Sequence, residues 1–325
     1  MHHFLFEFIT GGGLSGQALP ETLIREGEIM MQTLLTELFE SGYSDITLTR
    51  DDRINSYDNN VEQHIIQRSL EVELPELIKK SDISWLIAPE TGDCLASLAE
   101  LFIEHGKIFI GSNPDAIRIA TSKLLTSKIL AEANINIVDT RTLSGEIPAS
   151  QTGWIIKPDD GVGGESCCFI NNKNRLSEII SENINGNFVV QPYIEGKHMS
   201  MSLLVFDNDV RLLACNQQYI TVKEETVSLT AIGVNECLIF KNEMMELAIK
   251  IVSKIPGFAG YIGIDLIESE SELFVLEINP RFTTAYAGLS DSLGCNITEK
   301  ILDTFLNKKL PDINLAAAVP IRINV

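Results

Sequence analysis

With 325 residues, 45 acidic against 25 basic side chains and a formal charge of -20, the chain lacks the basic surface that a phosphate backbone or an anionic bilayer needs, which argues against nucleic acid and membrane as partners. Its 45% hydrophobic content is that of an ordinary soluble protein and suffices for two or three subdomains with separate cores. Six cysteines without CxxC or zinc-type spacing, no long apolar span and no cleavable leader fit a reduced cytoplasm.

Residues 3–9 (HFLFEFI) read as a strand that runs into Gly11, Gly12 and Gly13. Pro20 then opens a helix in which Leu23, Ile24, Met30, Leu34, Leu35 and Leu38 recur at helical spacing until Gly42. Strands over 45–50, 83–88 and 107–111 alternate with helices over 71–80 and 95–105, so residues 1–113 are expected to form a mostly parallel, doubly wound α/β domain. In such sheets ligands lie beyond the carboxyl ends of the strands, where Gly11 to Gly13, Arg50, Asp51 and Glu90 fall. The glycine run serves there either as a ligand loop or as a permissive turn. Glu7, inside an apolar strand, reads as an edge or sheet-end carboxylate.

Pro114 sets off one long helix over 115–134 carrying Lys123 and Lys128, which periodicity alone leaves as solvated lysines. Strand 153–158 reaches Lys157 near its end and is followed by Gly161, Gly163 and Gly164 and a returning strand over 166–170. That order gathers backbone N–H groups and one ammonium around an anion such as a triphosphate, or else makes a plain glycine-turned hairpin. After a helix over 176–182, an apolar strand leads through Gln191 and Pro192 into Tyr193, Ile194 and Glu195, a link whose backbone groups stay open to a ligand edge. Strands over 199–206, 210–214 and 219–222 follow one another, then a helix over 243–254, a hairpin, a helix over 296–306 and a last strand over 319–325. The second half is therefore α+β with antiparallel sheets.

In that hairpin, Gly260 to Ile267 and Leu273 to Arg281 flank a polar link, and a turn centred on Ser271 sets Asp265 directly across from Glu277. Asn279 shares the face of Glu277, while Val275, Leu276 and Ile278 are expected to supply packing. Two like charges opposed in a sheet need neutralising, and oxygen ligands from two carboxylates and an amide suit Mg2+.

Together, a helix lysine, a strand lysine before a glycine loop, a strand-end hinge and an Asp…Glu-x-Asn-Pro-Arg hairpin resemble the ATP-grasp superfamily over essentially the whole chain. The resemblance implies an ATP-grasp fold with a Rossmann-like pre-ATP-grasp domain at 1–113, a subdomain with the lid loop at 114–190 and a C-terminal subdomain with the metal site at 191–325. It assigns Lys123 and Lys157 to the phosphates, Gly161, Gly163 and Gly164 to the lid, and Gln191, Tyr193 and Ile194 to adenine. Asp265, Glu277 and Asn279 become the Mg2+ ligands, with Mn2+ as a substitute, and Arg281 stands near the transferred phosphoryl group. Gln191 occupies a position where many members carry Glu, and Lys197 or His198 stands where they carry an acid, so Glu195 becomes the first substitute for the ribose contact. His198 itself reads as a structural hydrogen-bonding residue, with a metal or base role as the alternative.

The implied reaction is amide formation through an acyl phosphate, in which a small-molecule acid is activated by ATP and captured by an amine; no protein nucleophile is required. A narrower similarity, carried by FEFITGGG, LPETLIREGEIM, IAPETGDCL and NPRFTTAYAGL, points to the tyramine-glutamate ligase branch of methanofuran-type cofactor biosynthesis. It implies the γ-carboxyl of L-glutamate as acid and tyramine or tyrosine as amine, with Gly11, Gly12, Gly13, Arg281, Thr283, Thr284 and Tyr286 as substrate contacts. The alternatives are another amino-acid or dipeptide ligase and a nucleotide-binding protein without turnover. A homodimer is compatible with the sequence.

Overall fold

The computed structural model describes residues 1–57, 61–161, 167–181, 187–223 and 226–325. Five strands, β1 (His3–Glu7), β2 (Ile46–Arg50), β3 (Glu62–Ile65), β4 (Ile83–Ile87) and β5 (Ile108–Ile110), form a parallel sheet in the order β3-β2-β1-β4-β5. The central strand is apolar on both faces because helices cover both. Leu5 packs with Leu34 and Leu38 of helix Glu21–Glu40 on one side. Phe4 and Phe6 pack with Leu74, Ile78 and Phe102 of helices Leu70–Lys80 and Cys94–His105 on the other. Strand β3 escapes sequence reading because EQHI lacks any apolar alternation and lies at the sheet edge.

Glu7 is a sheet-end carboxylate but not an edge one, since β1 is the middle strand. It accepts hydrogen bonds from Ile9 N at 3.1 Å and from Thr10 N and Oγ1 at 2.6 Å each, and burial raises its pKa. Gly11 N and Gly13 N donate to the carbonyls of Glu7 and Phe8, both at 2.8 Å. A Cβ at Gly11 or Gly13 would run into those same carbonyls.

The second sheet comprises β6 (Arg141–Thr142), β7 (Trp154–Pro158), β8 (Cys168–Ile170), β9 (Phe188–Pro192), β10 (Lys197–Phe206), β11 (Asp209–Lys223), β12 (Thr226–Val234), β13 (Gly260–Ser269), β14 (Glu272–Asn279) and β15 (Ile321–Asn324). Their order is β14-β13-β10-β11-β12-β8-β7-β9-β6, with β15 on β12, and the strand pairings are antiparallel. The expected boundary at 190/191 falls inside β9. The stretches expected as separate strands at 210–214 and 219–222 are one strand, β11, and β12 was not anticipated although its Thr, Val, Leu and Ile content favours a strand.

The single long helix expected over 115–134 is two, Pro114–Thr121 and Lys123–Glu132, broken at Ser122 with φ -79° and ψ 107°. The Ser122 hydroxyl caps Leu125 N at 3.1 Å and donates to Asp159 at 2.7 Å, a local alternative to helix continuation. Asp159 also accepts from Leu124 N at 2.8 Å, which sets a carboxylate at the start of the second helix.

The carboxyl-terminal part docks on the first domain through Glu37. Its carboxylate accepts from Thr298 N at 3.0 Å, Thr298 Oγ1 at 2.6 Å and Tyr286 Oη at 3.4 Å, and its carbonyl accepts from Asn296 Nδ2 at 2.8 Å. Glu37→Ala keeps the carbonyl that Asn296 uses but strands the buried Thr298 and Tyr286 donors, so it should destabilise the protein by about 2 kcal/mol. That would appear as a fall of about 4–8 °C in the thermal midpoint; an unchanged midpoint removes Glu37 from the docking role.

Candidate active site

A cavity of about 240 Å³ lies between the lysine-bearing strand β7 and one face of the sheet β14-β13-β10-β11-β12. Its charged floor is built by the β13/β14 hairpin. Glu270 and Ser271 both have positive φ, 53° and 70°, and join Ser269 to Glu272 as a tight two-residue turn. That turn alone would set Asp265 across from Leu276. A register shift between Asp265 and Leu266 accommodates one extra residue on β14, and Asp265 meets Glu277 after all. The same bulge turns Leu276 to the cavity, correcting its expected packing role, while Val275 and Ile278 remain core.

Lys157 on β7 and Lys123, at the helix start created by the Ser122 break, approach Glu277 Oε2 at 3.2 and 3.6 Å. Lys123 Nζ also donates to the carbonyls of Asp159 at 3.2 Å and Gly161 at 2.9 Å. Asp265 accepts from Asn279 Nδ2 at 3.2 Å and from Gln218 Nε2 at 2.8 Å. Burial, then the neighbouring Glu277 charge, raises the Asp265 pKa. Burial would raise Glu277 too, but Lys157 and Lys123 outweigh it and hold that carboxyl well below its ordinary range.

This donor set fits a hard divalent cation. Two carboxylate groups and an amide converge from facing strands, and burial beside the Glu277 charge disfavours the anionic form of Asp265. Among the described residues no three of His, Cys, Asp and Glu are grouped so as to hold a metal ion by themselves, so such an ion would complete its shell from phosphate oxygens and water.

Arg281 lies past the hairpin, half-buried, with Nε donating to Glu90 Oε2 at 2.8 Å and Nη1 to the Phe282 carbonyl at 3.0 Å. Thr283 and Thr284 line the cavity, and Thr283 Oγ1 is 2.8 Å from Tyr261 Oη. At the opposite element, Gln191, Tyr193 and Ile194 line the cavity; Gln191 donates to Thr140 Oγ1 at 2.8 Å, and the Tyr193 ring packs 4.7 Å from Phe169. Gly161 is on the wall, whereas Gly163 and Gly164 lie outside the described residues.

Other expected residues are not brought together here. Gly11, Gly12, Gly13 and Glu195 are absent from the cavity wall; Glu195 is exposed and its carbonyl accepts from Ser269. Tyr286 is fully buried against Glu37 and Thr298, which leaves it no substrate to touch. His198 lines the cavity, its pKa lowered by burial. Sequence reading missed Gln218 on β11 and Glu26 on helix Glu21–Glu40, both on the wall. A continuous β11 would have carried Gln218 into view; Glu26 comes from the other domain and had no local signal. All six cysteines are free thiols, and no described helix is long and apolar enough to cross a membrane.

Comparison with known proteins agrees with this geometry. Residues 120–285 match the family model of the ATP-grasp domain, and residues 44–117 that of the pre ATP-grasp 3 domain. The chain is 28% identical over 290 residues to the tyramine–L-glutamate ligase of Methanocaldococcus jannaschii, covering 87% of this chain and 83% of that one. It is also 28% identical over 291 residues to that of Methanocaldococcus fervens, covering 87% and 88%. Among solved structures, an ATP-grasp superfamily protein from Archaeoglobus fulgidus superposes with a TM-score of 0.73 at 24% identity, covering 96% of this chain and 90% of that one. The chain belongs to the ATP-grasp family and is an ATP-dependent carboxylate-amine ligase.

Proposed function

We propose that the enzyme joins the γ-carboxyl of L-glutamate to tyramine or tyrosine in methanofuran-type cofactor biosynthesis in the cytoplasm, using ATP. The observation that carries the ligase chemistry is the Asp265–Glu277 pair with Lys157 and Lys123 closing on Glu277. The substrate pair is supported by the similarity to two tyramine–L-glutamate ligases over most of the chain.

In this reading the three parts divide the work: residues 1–113 close one side, residues 114–190 carry the lysines, and residues 191–325 carry the carboxylates. Gln191, Tyr193 and Ile194 receive adenine at the β9 hinge, and Gly161 with Gly163 and Gly164 covers the phosphates. Lys123 and Lys157, which face Glu277 here, turn to the β- and γ-phosphates, and Asp265, Glu277 and Asn279 hold Mg2+, or Mn2+ in its place. The metal ion supplies neutralisation of the charge on the phosphates during transfer. Arg281, held by Glu90, faces the transferred phosphoryl group, and Thr283 and Thr284 contact the acid.

A glutamate γ-carboxylate oxygen attacks the γ-phosphorus, the bond to the β-bridging oxygen breaks, and ADP leaves. The amine nitrogen then attacks the acyl carbon, phosphate departs with the bonding pair, and the nitrogen loses a proton to give the amide. Each step needs charge placed around phosphate and needs no side-chain nucleophile.

ADP release with ATP and Mg2+ should require both glutamate and tyramine or tyrosine; release with a different acid–amine pair, at a higher rate, replaces the substrates proposed. Glu277→Gln should lower kcat by about 100-fold or more while leaving the thermal midpoint in place, and a fully active variant removes Glu277 from the site.

A further inference from the structure

The wall contributed by β11 and β12 carries none of the residues assigned above to the nucleotide. These strands pair Gln218 with Ile232, Ile220 with Leu229 and Val222 with Val227, and all six side chains line the cavity. A register shift after Tyr219 leaves Thr230 as an extra residue on β12. The bulge keeps Ile232 on the face of Leu229 instead of turning it to the back of the sheet. The result is an apolar ladder that begins at Gln218, the residue bonded to Asp265, and continues along the hairpin.

The hinge proposed for adenine has other neighbours. Ile155 pairs with Gln191 of the hinge, and Ile267 lies against Gly196 at the hinge's end. Ile232, by contrast, is buried in the cluster that holds Ala285 and Tyr286, and Leu229 packs against that cluster. The ladder thus adjoins the segment that follows Arg281, on the reacting side of the cavity. Ile220, Val227 and Leu229 are only half-buried, so apolar surface faces the cavity where phosphate and the glutamate carboxylates would gain nothing from it.

We propose that this ladder is the acceptor subsite, taking the ring of an arylalkylamine, with Ile220 and Leu229 setting the preference for such amines over short alkylamines. The proposal rests on the ligase reading above. A ring laid on branched aliphatic side chains removes apolar area from water on both partners, whereas ethylamine leaves the ladder wet.

Hydroxylamine separates the two readings, because it traps an acyl phosphate as a hydroxamate and needs no ring pocket. Wild type, Ile220→Ser and Leu229→Ser should all form glutamyl hydroxamate from ATP and glutamate at similar rates. With tyramine the variants should show a KM raised about 10-fold or more, an unchanged KM for ATP, and a preference for tyramine over ethylamine reduced by a similar factor. Leu229→Phe, which keeps the wall apolar but fills the strip, should raise the tyramine KM in the same way. An unchanged tyramine KM in all three variants overturns the subsite, as does a parallel loss of hydroxamate synthesis. Absence of hydroxamate from wild type with glutamate overturns the choice of acid, and the subsite as drawn falls with it.

Discussion

Two carboxylates facing each other across a β-ladder are the constraint around which the rest of the second sheet is arranged. Asp265 and Glu277 cannot both ionise comfortably at that spacing without positive charge. Two lysines from separate elements answer the demand on one side, which leaves Glu277 ionised and Asp265 reluctant. Neither lysine arrives by accident. Lys157 comes from β7, and Lys123 is aimed by a helix that restarts at Ser122 and is pinned to Asp159, the residue just past β7. In the function proposed above, Asp265, which has amide donors but no ion-pair partner among the described residues, is the half of the pair that would receive a metal ion carrying phosphate.

The face of the sheet grades from charge to hydrocarbon. Glu277 and Asn279 on β14 and Asp265 on β13 give way to Ser200 and His198 on β10, then to Gln218 and the aliphatic side chains of β11 and β12. Two bulges, one at Asp265/Leu266 and one at Tyr219/Ile220, each hold an extra residue while preserving which side chains face the cavity. A regular ladder would have traded Glu277 for Leu276 opposite Asp265 and turned Ile232 away.

Much of this was legible in the sequence because alternation and motif order are local. The strands of the parallel domain, the hairpin and the convergence of Lys123, Lys157, Gln191, Asp265, Glu277, Asn279 and Arg281 on one cavity follow from apolar periodicity and a resemblance carried by spaced residues. What escaped depends on side-chain competition or on distance. Ser122 stops a helix through its hydroxyl, which periodicity does not register. β3 is a polar edge strand. Tyr286 looked like a substrate residue beside Arg281, yet a short 3-10 segment, Thr284–Gly288, buries it against Glu37, a residue 249 positions away. Glu26 reaches the wall from a helix of the other domain, and nothing in its own neighbourhood announces it.

Besides the Glu37 contacts, a second link between the two domains runs through the loop beyond the carboxyl end of β4, where a parallel sheet of this kind offers its ligand edge. The buried Glu90 grips the half-buried Arg281 at 2.8 Å, so the guanidinium is held by the first domain although it belongs to the second. One residue further on, Thr91 Oγ1 donates to the Asp160 carbonyl at 3.1 Å, and Gly92 N donates to the Asp160 carboxylate at 2.9 Å. The same short loop therefore touches the arginine on one flank of the cavity and the entry to the glycine loop on the other. The parallel domain thus contacts both Arg281 and the segment leading from Lys157 to Gly161 through one short loop. The glycine run at Gly11 to Gly13 has a different place in this scheme: it caps β1 beside Glu7 and supports the domain that carries the Glu90 loop, away from the cavity itself.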